Sequence, residues 1–331
     1  MEKAIYINGI GNISPQATFD EVMGTEIAAP EGAFFKCQEP AYKTIIPRKL
    51  LRRMSRVVRM GLATSHKALE GAQNPAIDAI ITGTAWGCVK DTEKFLETII
   101  ENNENYLTPT AFVQSTHNTV GGQIALMHHN NCYNMSYVQG GVSFESALID
   151  ATLQFYEDKA NNILVGGIDE QTEKLQTLLK RLACASASHV MGEGAAFFVL
   201  SNQAIENSYA KLAGVKMLYR PESNTVVQDN ILQTLQQANL KPEDISVVLT
   251  GNADDTLEQT LFPEAFCTNY KQLCGDYPTS TAFAMAVAAT LIKGDENTKT
   301  ALQVTLDQID NVLIYNQYDQ HNHSIIVLSK V

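Results

Sequence analysis

Few residues of this sequence combine a reactive side chain with a setting that could support catalysis. Ser143 stands at the start of a predicted helix, where serine typically caps the first turn. As a nucleophile it would need a neighbouring base, and the sequence identifies none. His117 lies in the run Ser-Thr-His-Asn, which favours a structural hydrogen bond over catalysis. His321 and His323 lie in a polar segment that predicts a solvated turn, and so short a pair is weak evidence for a metal site.

The cysteines form no pattern that binds metal or predicts disulfide bonds. Six of them are scattered without CxxC or mixed Cys/His spacing, at positions 37, 88, 132, 184, 267 and 274. Scattered cysteines are typical of small buried apolar side chains in a reducing compartment. The sequence therefore predicts a cytoplasmic protein with no metal and no cofactor.

The composition is that of a globular chain that can bury a sizeable core. The 331 residues are 45% hydrophobic and 18% charged. The net charge of −12 argues against a general affinity for nucleic acid or anionic lipid. No run of 18 apolar residues predicts a membrane span, and the N-terminal segment predicts a first strand rather than a signal peptide.

Positive charge is concentrated in one short region of this acidic chain, which contains Arg48, Lys49, Arg52, Arg53 and Arg56. Part of this run predicts an ordinary solvated helix face, because apolar residues recur within it at helical spacing. The alternative is a contact surface for an acidic partner. The sequence leaves both interpretations open.

Strand-like and helix-like runs alternate along the chain, which is typical of a layered α/β protein. The predicted strands are Ala4–Asn8, Ala79–Thr82, Met135–Val138, Asn162–Gly166, Ala195–Leu200, Leu212–Tyr219, Ser246–Thr250, Ala265–Tyr270, Val312–Tyr315 and Ser324–Leu328. The predicted helices are Leu50–Gly71, Val89–Asn102, Thr119–His129, Ser143–Lys159, Glu173–Ala183, Thr225–Ala238, Thr256–Phe262, Ser280–Lys293 and Thr300–Asp307. The predicted strands form two series of five, and each series ends in two strands that we expect to pair. We therefore interpret the chain as two similar halves that share one core, residues 1–205 and a shortened 206–331.

An ordered set of segments resembles the β-ketoacyl synthases. The segments are Arg52–Glu70, Ile81–Glu97, Leu107–Ala125, Tyr137–Ser146, Val165–Glu170 and Val190–Leu200. Any one glycine-rich piece is weak evidence, but their order is specific. The resemblance implies the thiolase-like fold, in which two βαβαβαββ halves build an αβαβα sandwich, usually as a dimer.

The family's reaction, as the resemblance implies it, needs a cysteine thiolate that accepts an acyl chain and two histidines that stabilise an enolate oxygen. No cysteine lies between Cys132 and Cys184. The position of the nucleophile falls on Gln139, Gly140 or Gly141. Helical periodicity after the turn favours Gly141, whereas Gln139 would resemble the glutamine of chain-length-factor subunits.

Both histidine positions are also substituted. The first falls on Thr250 and the second on Asp276, while Lys271 of the second motif is retained. No glycine occurs after Gly294, so the family's glycine-containing gating loop before the last strand is absent. An ionised aspartate ~4 Å from a developing enolate would cost on the order of 4 kcal/mol, roughly a thousandfold in rate.

The sequence thus predicts a β-ketoacyl synthase (acyltransferase) homologue without condensing activity. We expect a chain-length-factor-like subunit of fatty-acid, aryl-polyene or polyketide-type synthesis, paired with an active synthase or with itself. An acyl carrier protein is a further candidate partner, and the basic run is the surface that would contact it. The alternatives are an enzyme that processes thioesters through a different site, and a scaffolding or binding protein.

Overall fold

The computed structural model describes residues 3–16, 19–24, 26–32, 34–182, 190–252, 254, 256–319 and 321–331. Strands and helices alternate through this part of the chain, as the sequence predicts. None of the helices in these ranges is long and apolar enough to cross a membrane.

Twelve strands are formed by the described residues. They are β1 (Tyr6–Ile13), β2 (Phe34–Phe35), β3 (Ala79–Gly83), β4 (Tyr133–Tyr137), β5 (Asn162–Asp169), β6 (Met191–Gly192), β7 (Gly194–Ser201), β8 (Ala210–Tyr219), β9 (Val247–Thr250), β10 (Phe266–Asn269), β11 (Asn311–Tyr318) and β12 (Asn322–Ser329). All ten predicted strands are present. The two that were not predicted, β2 and β6, are two-residue strands that pair only with each other.

Twelve α-helices accompany them within the same ranges. They are α1 (Arg48–Leu51), α2 (Arg56–Gly71), α3 (Val89–Glu101), α4 (Pro109–Ser115), α5 (Thr119–Met127), α6 (Ser143–Tyr156), α7 (Glu173–Arg181), α8 (Asn224–Gln237), α9 (Thr256–Leu261), α10 (Lys271–Cys274), α11 (Ser280–Lys293) and α12 (Glu296–Leu302). Single 3₁₀ turns lie at Tyr42–Thr44, Gly140–Val142 and Pro242–Asp244.

Two helix predictions were wrong in their bounds. The run Leu50–Gly71 is not one helix, because the chain is extended at Ser55 (φ −66°, ψ 169°) and α2 begins only after it. The last predicted helix, Thr300–Asp307, begins four residues earlier. Asp295 caps it by accepting a hydrogen bond from the backbone N–H of Thr298, and Gln303 ends it in a left-handed conformation (φ 58°). The predicted end of the fifth helix, Ala183, lies outside the described residues.

The large sheet has ten strands in the order β10-β9-β11-β12-β8-β1-β7-β5-β3-β4. Each half contributes five strands to this sheet. If they are numbered in chain order within each half, both halves show the same spatial order from the outer edge to the centre: third, second, fourth, fifth, first. In both halves the second strand is parallel to its neighbours and the fifth is antiparallel. The halves join where β1 meets β8 over two residue pairs, Tyr6↔Lys211 and Ile7↔Ala210.

The helices and the two halves of the sheet form five layers: outer helices, one half of the sheet, central helices, the other half of the sheet, and outer helices. α2 and α5 pack on the outer face of the first half, and α8 on that of the second. α6 and α11 lie in a core cluster that contains side chains from both halves of the sheet. Every residue of α11 except Lys293 is buried, as expected for a helix that is apolar all round and covered on every side. Its alanines and threonines keep it thin enough to fit this central layer.

Candidate functional site

The turn between β4 and α6 is the place where the resemblance puts a nucleophile. A 3₁₀ turn, Gly140–Val142, carries the chain from the strand into the helix, and Gly140 adopts φ 59°, which favours glycine. Gly141 is buried. A Cβ atom built on Gly141 would lie 2.1 Å from Cγ, 2.2 Å from Cδ1 and 2.7 Å from Cβ of Tyr318. Tyr318 therefore occupies the volume that any side chain at position 141 would need.

The polar side chains of this turn are used within the turn itself. Ser143 is the first residue of α6, and its Oγ accepts a hydrogen bond from the Gln139 N–H and donates one to the Gly140 carbonyl, both at 2.8 Å. Gln139 lies at the surface, and its Oε1 accepts a hydrogen bond from Ser146. The prediction that Ser143 caps this helix was wrong: the cap position is Val142, without a side-chain hydrogen bond, and the Ser143 hydroxyl bonds back to the turn before the helix.

A buried hydrogen-bond network includes Thr250, the residue that the resemblance places at the first histidine position. Thr250, at the end of β9, donates from its Oγ1 to Glu258 Oε1 at 2.6 Å, and Asn252 Nδ2 donates to the same oxygen at 3.0 Å. Asn252 Oδ1 in turn accepts the Gln317 N–H at 2.8 Å. None of these groups is an imidazole, and the network connects the loop after β9 to the end of β11.

Asp276, the residue that the resemblance places at the second histidine position, forms an ion pair. Lys271 Nζ lies 2.8 Å from Asp276 Oδ1, and the lysine side chain is only 2% exposed. The Asp276 backbone is fixed by hydrogen bonds with Val190 and Gly192 beside β6. Lys271 therefore neutralises Asp276, and main-chain hydrogen bonds hold the aspartate in place.

Glu145 is a buried acid of this region that sequence reasoning did not single out. Its side chain on α6 is fully buried, and burial raises the pKa of its carboxyl, an effect that the hydroxyls of Thr281 and Ser324 and the charge of Lys271 oppose. The space around Glu145 is thus packed with side chains from α6, α10, α11 and β12. Position 145 carried no signal in the sequence, because a glutamate in the first turn of a helix is ordinarily a solvent-exposed partner of the helix dipole.

The segment that the family uses as a gating loop is here a tight hairpin. β11 and β12 pair without interruption to Tyr318↔Asn322. Asp319 closes the turn by accepting hydrogen bonds from the backbone N–H groups of His321 and Asn322. This pairing fixes the backbone that carries Tyr318.

The structure confirms the histidine prediction for His321 and contradicts that for His323, while the structural hydrogen bond of His117 stays a prediction. His321 is exposed in the turn, as predicted. The prediction of a solvated position was wrong for His323, which lies in β12, is 5% exposed and makes a 2.8 Å hydrogen bond between its Nδ1 and the Tyr315 hydroxyl. Burial lowers the pKa of this imidazole. His117 packs on the turn at Gly87. In the described ranges no group of three or more His, Cys, Asp and Glu side chains could hold a metal ion.

The basic run separates into two kinds of side chain. Arg48, Lys49, Arg52 and Arg53 are exposed and form no ion pair with any described residue. They lie on α1 and the following loop, which contacts α4 through a 3.1 Å hydrogen bond from Gln114 Nε2 to the Arg53 carbonyl. These four cations form one surface, which we call the basic surface.

Arg56 is a structural residue instead. Its guanidinium makes a two-pronged contact with Glu193, at 2.6 Å and 2.5 Å, and a third bond of 2.6 Å to Glu39. Glu193 is 1% exposed and also accepts the backbone N–H groups of Cys37 and Gln171. The first turn of α2 is thereby tied to the junction of β6 and β7.

Glu170 lies beside this ion pair and makes folding stability depend on pH. Burial raises the pKa of its carboxyl from 4.5 to about 7, against the opposing charge of Arg56. The folded state therefore binds the Glu170 proton more tightly than the unfolded state does. The stabilisation that protonated Glu170 gives the folded state is complete below pH 4.5 and is lost as the pH rises to about 7. We expect Glu170→Gln to raise the free energy of unfolding, relative to wild type, by about 2–3 kcal/mol more at pH 8 than at pH 5.

Urea unfolding of Glu170→Gln and wild type at both pH values measures this difference. The exposed Glu173→Gln on α7 is the matched control and is expected to leave the pH dependence unchanged. An equal change in stability for Glu170→Gln at pH 5 and pH 8 would contradict the prediction.

A model of the N-terminal domain of β-ketoacyl synthases matches residues 29–243, well over half of the chain. The chain belongs to the β-ketoacyl synthase family. Its fold is correspondingly the thiolase-like sandwich predicted from the sequence. No curated protein matches the chain by sequence.

Solved structures of this family superpose on the whole chain. The ishigamide ketosynthase/chain length factor is similar over 99% of both chains, with a TM-score of 0.78 at 18% identity. A β-ketoacyl synthase from Burkholderia phymatum STM815 has a TM-score of 0.79 at 17% identity, over 99% of this chain and 100% of that one. The ketosynthase ApeO in complex with its chain length factor ApeC, from Xenorhabdus doucetiae, gives 0.76 at 14% identity, over 99% and 98%. At these identities the likeness shows the fold.

Proposed function

We propose that this protein is a non-condensing subunit of the β-ketoacyl synthase family that pairs with an active synthase, in the manner of a chain-length factor. The observation that carries the proposal is the position of Tyr318 on Gly141. A condensing enzyme needs a nucleophile with open space in front of it for the acyl group. Here the favoured position has neither the side chain nor the space.

The electrostatics of the site support the same conclusion. Enolate formation requires hydrogen-bond donors or positive charge aimed at the developing oxyanion. The two positions that would supply imidazoles hold a threonine bound to Glu258 and an aspartate bound to Lys271. The lysine's charge is neutralised by the aspartate. We therefore expect no decarboxylation of a malonyl thioester.

The edge of the sheet offers a surface for a partner subunit. β4 is the last strand of the sheet and pairs, within the described residues, only with β3. Apolar side chains line this edge: Tyr133 is 39%, Met135 40% and Val138 44% exposed. An open strand edge with apolar side chains is a template for pairing with a strand of another chain. Solved relatives include a ketosynthase in complex with its chain length factor, which supports a paired assembly here.

The basic surface gives this assembly a second contact. Its four cations stand out in a chain of net charge −12, so an acidic partner would be steered to them. A relative of known structure is a ketosynthase bound to its acyl-carrier protein. We propose that an acyl carrier protein approaches the heterodimer over Arg52 and Arg53.

Co-expression with a synthase that retains cysteine and both histidines tests the pairing. We expect wild-type protein to co-purify with the synthase and to change the length of the acyl product, measured by mass spectrometry. Met135→Glu is expected to weaken the complex about tenfold or more, because the substitution places a charge at the centre of the paired edge. Leu232→Glu, at a similarly exposed apolar position on α8 (38%), is the matched control and should leave the complex intact.

Three results would contradict the proposal. They are a homodimer as the sole assembly with unchanged product length, a complex that resists Met135→Glu, and acylation of this chain by an acyl-carrier thioester. In the same experiment Arg52→Glu with Arg53→Glu should weaken capture of the carrier protein while leaving the pairing of the two subunits unchanged.

A further inference from the structure

A cavity of about 380 Å³ lies at the opposite end of α11 from the candidate site around Gly141 and Glu145. The candidate site lies at the beginning of α11, near Ser280 and Thr281. The cavity is lined by Thr290 and Gly294, at the end of the same helix. Nine to fourteen residues of α-helix lie between the two sites, a distance of about 14–21 Å at the rise of an α-helix. The volume is within the range of small-molecule binding sites.

Asn12 on β1 lines this cavity and is 3% exposed. Neither its Nδ2 nor its Oδ1 has a hydrogen-bond partner among the residues that the structure describes. Leaving both ends of a buried amide unbonded is costly, so such a group is expected to meet a bound polar molecule.

Asn8 provides an internal comparison. It lies on the same strand, has the same residue type and is also 3% exposed. Its Nδ2 donates to the Gln203 carbonyl at 2.9 Å and its Oδ1 accepts the Ser208 hydroxyl at 2.7 Å. The strand can therefore satisfy a buried asparagine, and the difference at Asn12 is specific to the cavity.

The charged side chains around the cavity already have partners in the protein. Lys67 pairs with Asp20, Lys293 donates to the Ser208 carbonyl, Asp295 accepts from Thr298 and Glu21 accepts from Asn297. The lining carries two cations and three carboxylates, whose charges nearly cancel, so it does not strongly favour an ionic ligand. The unsatisfied group is a neutral amide, and the rings of Phe19 and Tyr209 contribute apolar faces to the wall.

From this arrangement we propose that the cavity binds a small molecule without net charge that presents a planar donor–acceptor edge to Asn12. A primary carboxamide and the amino edge of a purine both have this chemistry, since each offers one N–H donor beside one acceptor. This cavity shares no lining residue with the candidate site around Gly141 and Glu145 or with the β4 edge.

Thermal unfolding with paired probes tests the proposal. Adenosine is compared with purine riboside, which lacks the amino donor, and L-glutamine with L-glutamate, which lacks the amide donor. We expect adenosine or L-glutamine at saturating concentration to raise the Tm of wild type by on the order of 2 °C, and its donor-lacking counterpart to have no effect. Whichever of the two binds identifies the source of the edge.

Asn12→Leu separates a ligand site from a structural role. We expect this apolar substitution to leave the Tm of the ligand-free protein unchanged or higher and to abolish the ligand-induced shift, whereas Asn8→Leu should lower the Tm. If Asn12→Leu does not fold, Asn12→Ser carries the same comparison. The proposal is overturned if no probe shifts the Tm, if the shift survives the substitution at Asn12, or if Asn12→Leu lowers the Tm as Asn8→Leu does.

Discussion

Replacing Arg56 with methionine is expected to lower the free energy of unfolding by about 3–5 kcal/mol. The substitution keeps most of the apolar stem but leaves the carboxylate of Glu193 without its cation. Glu193 is 1% exposed, so the remaining charge cannot be solvated by water. Removing one partner of a buried pair is costly for this reason, even where the intact pair adds little net stability. Urea unfolding at pH 7 measures the loss.

Arg53→Met is the matched control for Arg56→Met, since Arg53 is exposed and its side chain has no ion-pair partner among the described residues. It should change the stability by less than about 0.5 kcal/mol. The double variant Arg56→Met with Glu193→Gln is expected to recover part of the loss, because it removes the unpaired charge and keeps one oxygen to accept a backbone N–H. Equal effects of the two single arginine substitutions would show that the basic run is one uniform surface.

Placing a cysteine at position 141 is expected to destabilise the protein and to create no acyl-accepting site. The new Cβ would lie within 2.1–2.7 Å of three atoms of Tyr318, including its own Cβ. Those atoms are next to the backbone of a paired hairpin, so the ring cannot simply rotate away. Overpacking of this kind costs about 1–3 kcal/mol. Peptide mapping after incubation with an acyl-carrier thioester should find no acyl group on the introduced thiol.

Tyr318→Gly is the matched second substitution, because alanine would keep the Cβ that lies 2.7 Å from the new side chain. We expect Gly141→Cys with Tyr318→Gly to regain stability relative to Gly141→Cys alone. Acylation of the introduced thiol in the single variant would show that Tyr318 does not close the site.

Local sequence patterns were sufficient to predict most of the fold. Short apolar runs bounded by turn residues marked each strand of the large sheet, and the order of the segments carried the resemblance to the family. The start of the last helix was missed because its signal is a cap, Asp295, followed by polar residues rather than by an apolar stripe. The break before α2 was missed because no proline or glycine marks it; the basic and apolar spacing continues across it.

The candidate site was only partly predictable from the sequence. The sequence predicted that the cysteine and histidine positions are substituted, but it did not predict that Tyr318, from the other half of the chain, lies against Gly141. Arg56 could not be separated from its basic neighbours, because its acceptor Glu193 is 137 positions away. Burial of Glu145 was likewise hidden, since it depends on the hydroxyl-bearing residues of α11 and β12. Contacts over such separations leave no local pattern.

The central placement of α11 has a consequence for how the chain is made. This helix belongs to the second half by sequence, yet it covers the inner face of strands from the first half. A nascent chain that ends before residue 280 would therefore display an uncovered apolar sheet. During synthesis the first half is expected to need either a chaperone or rapid completion of the polypeptide, and the two halves expressed as separate fragments should aggregate unless both are produced together.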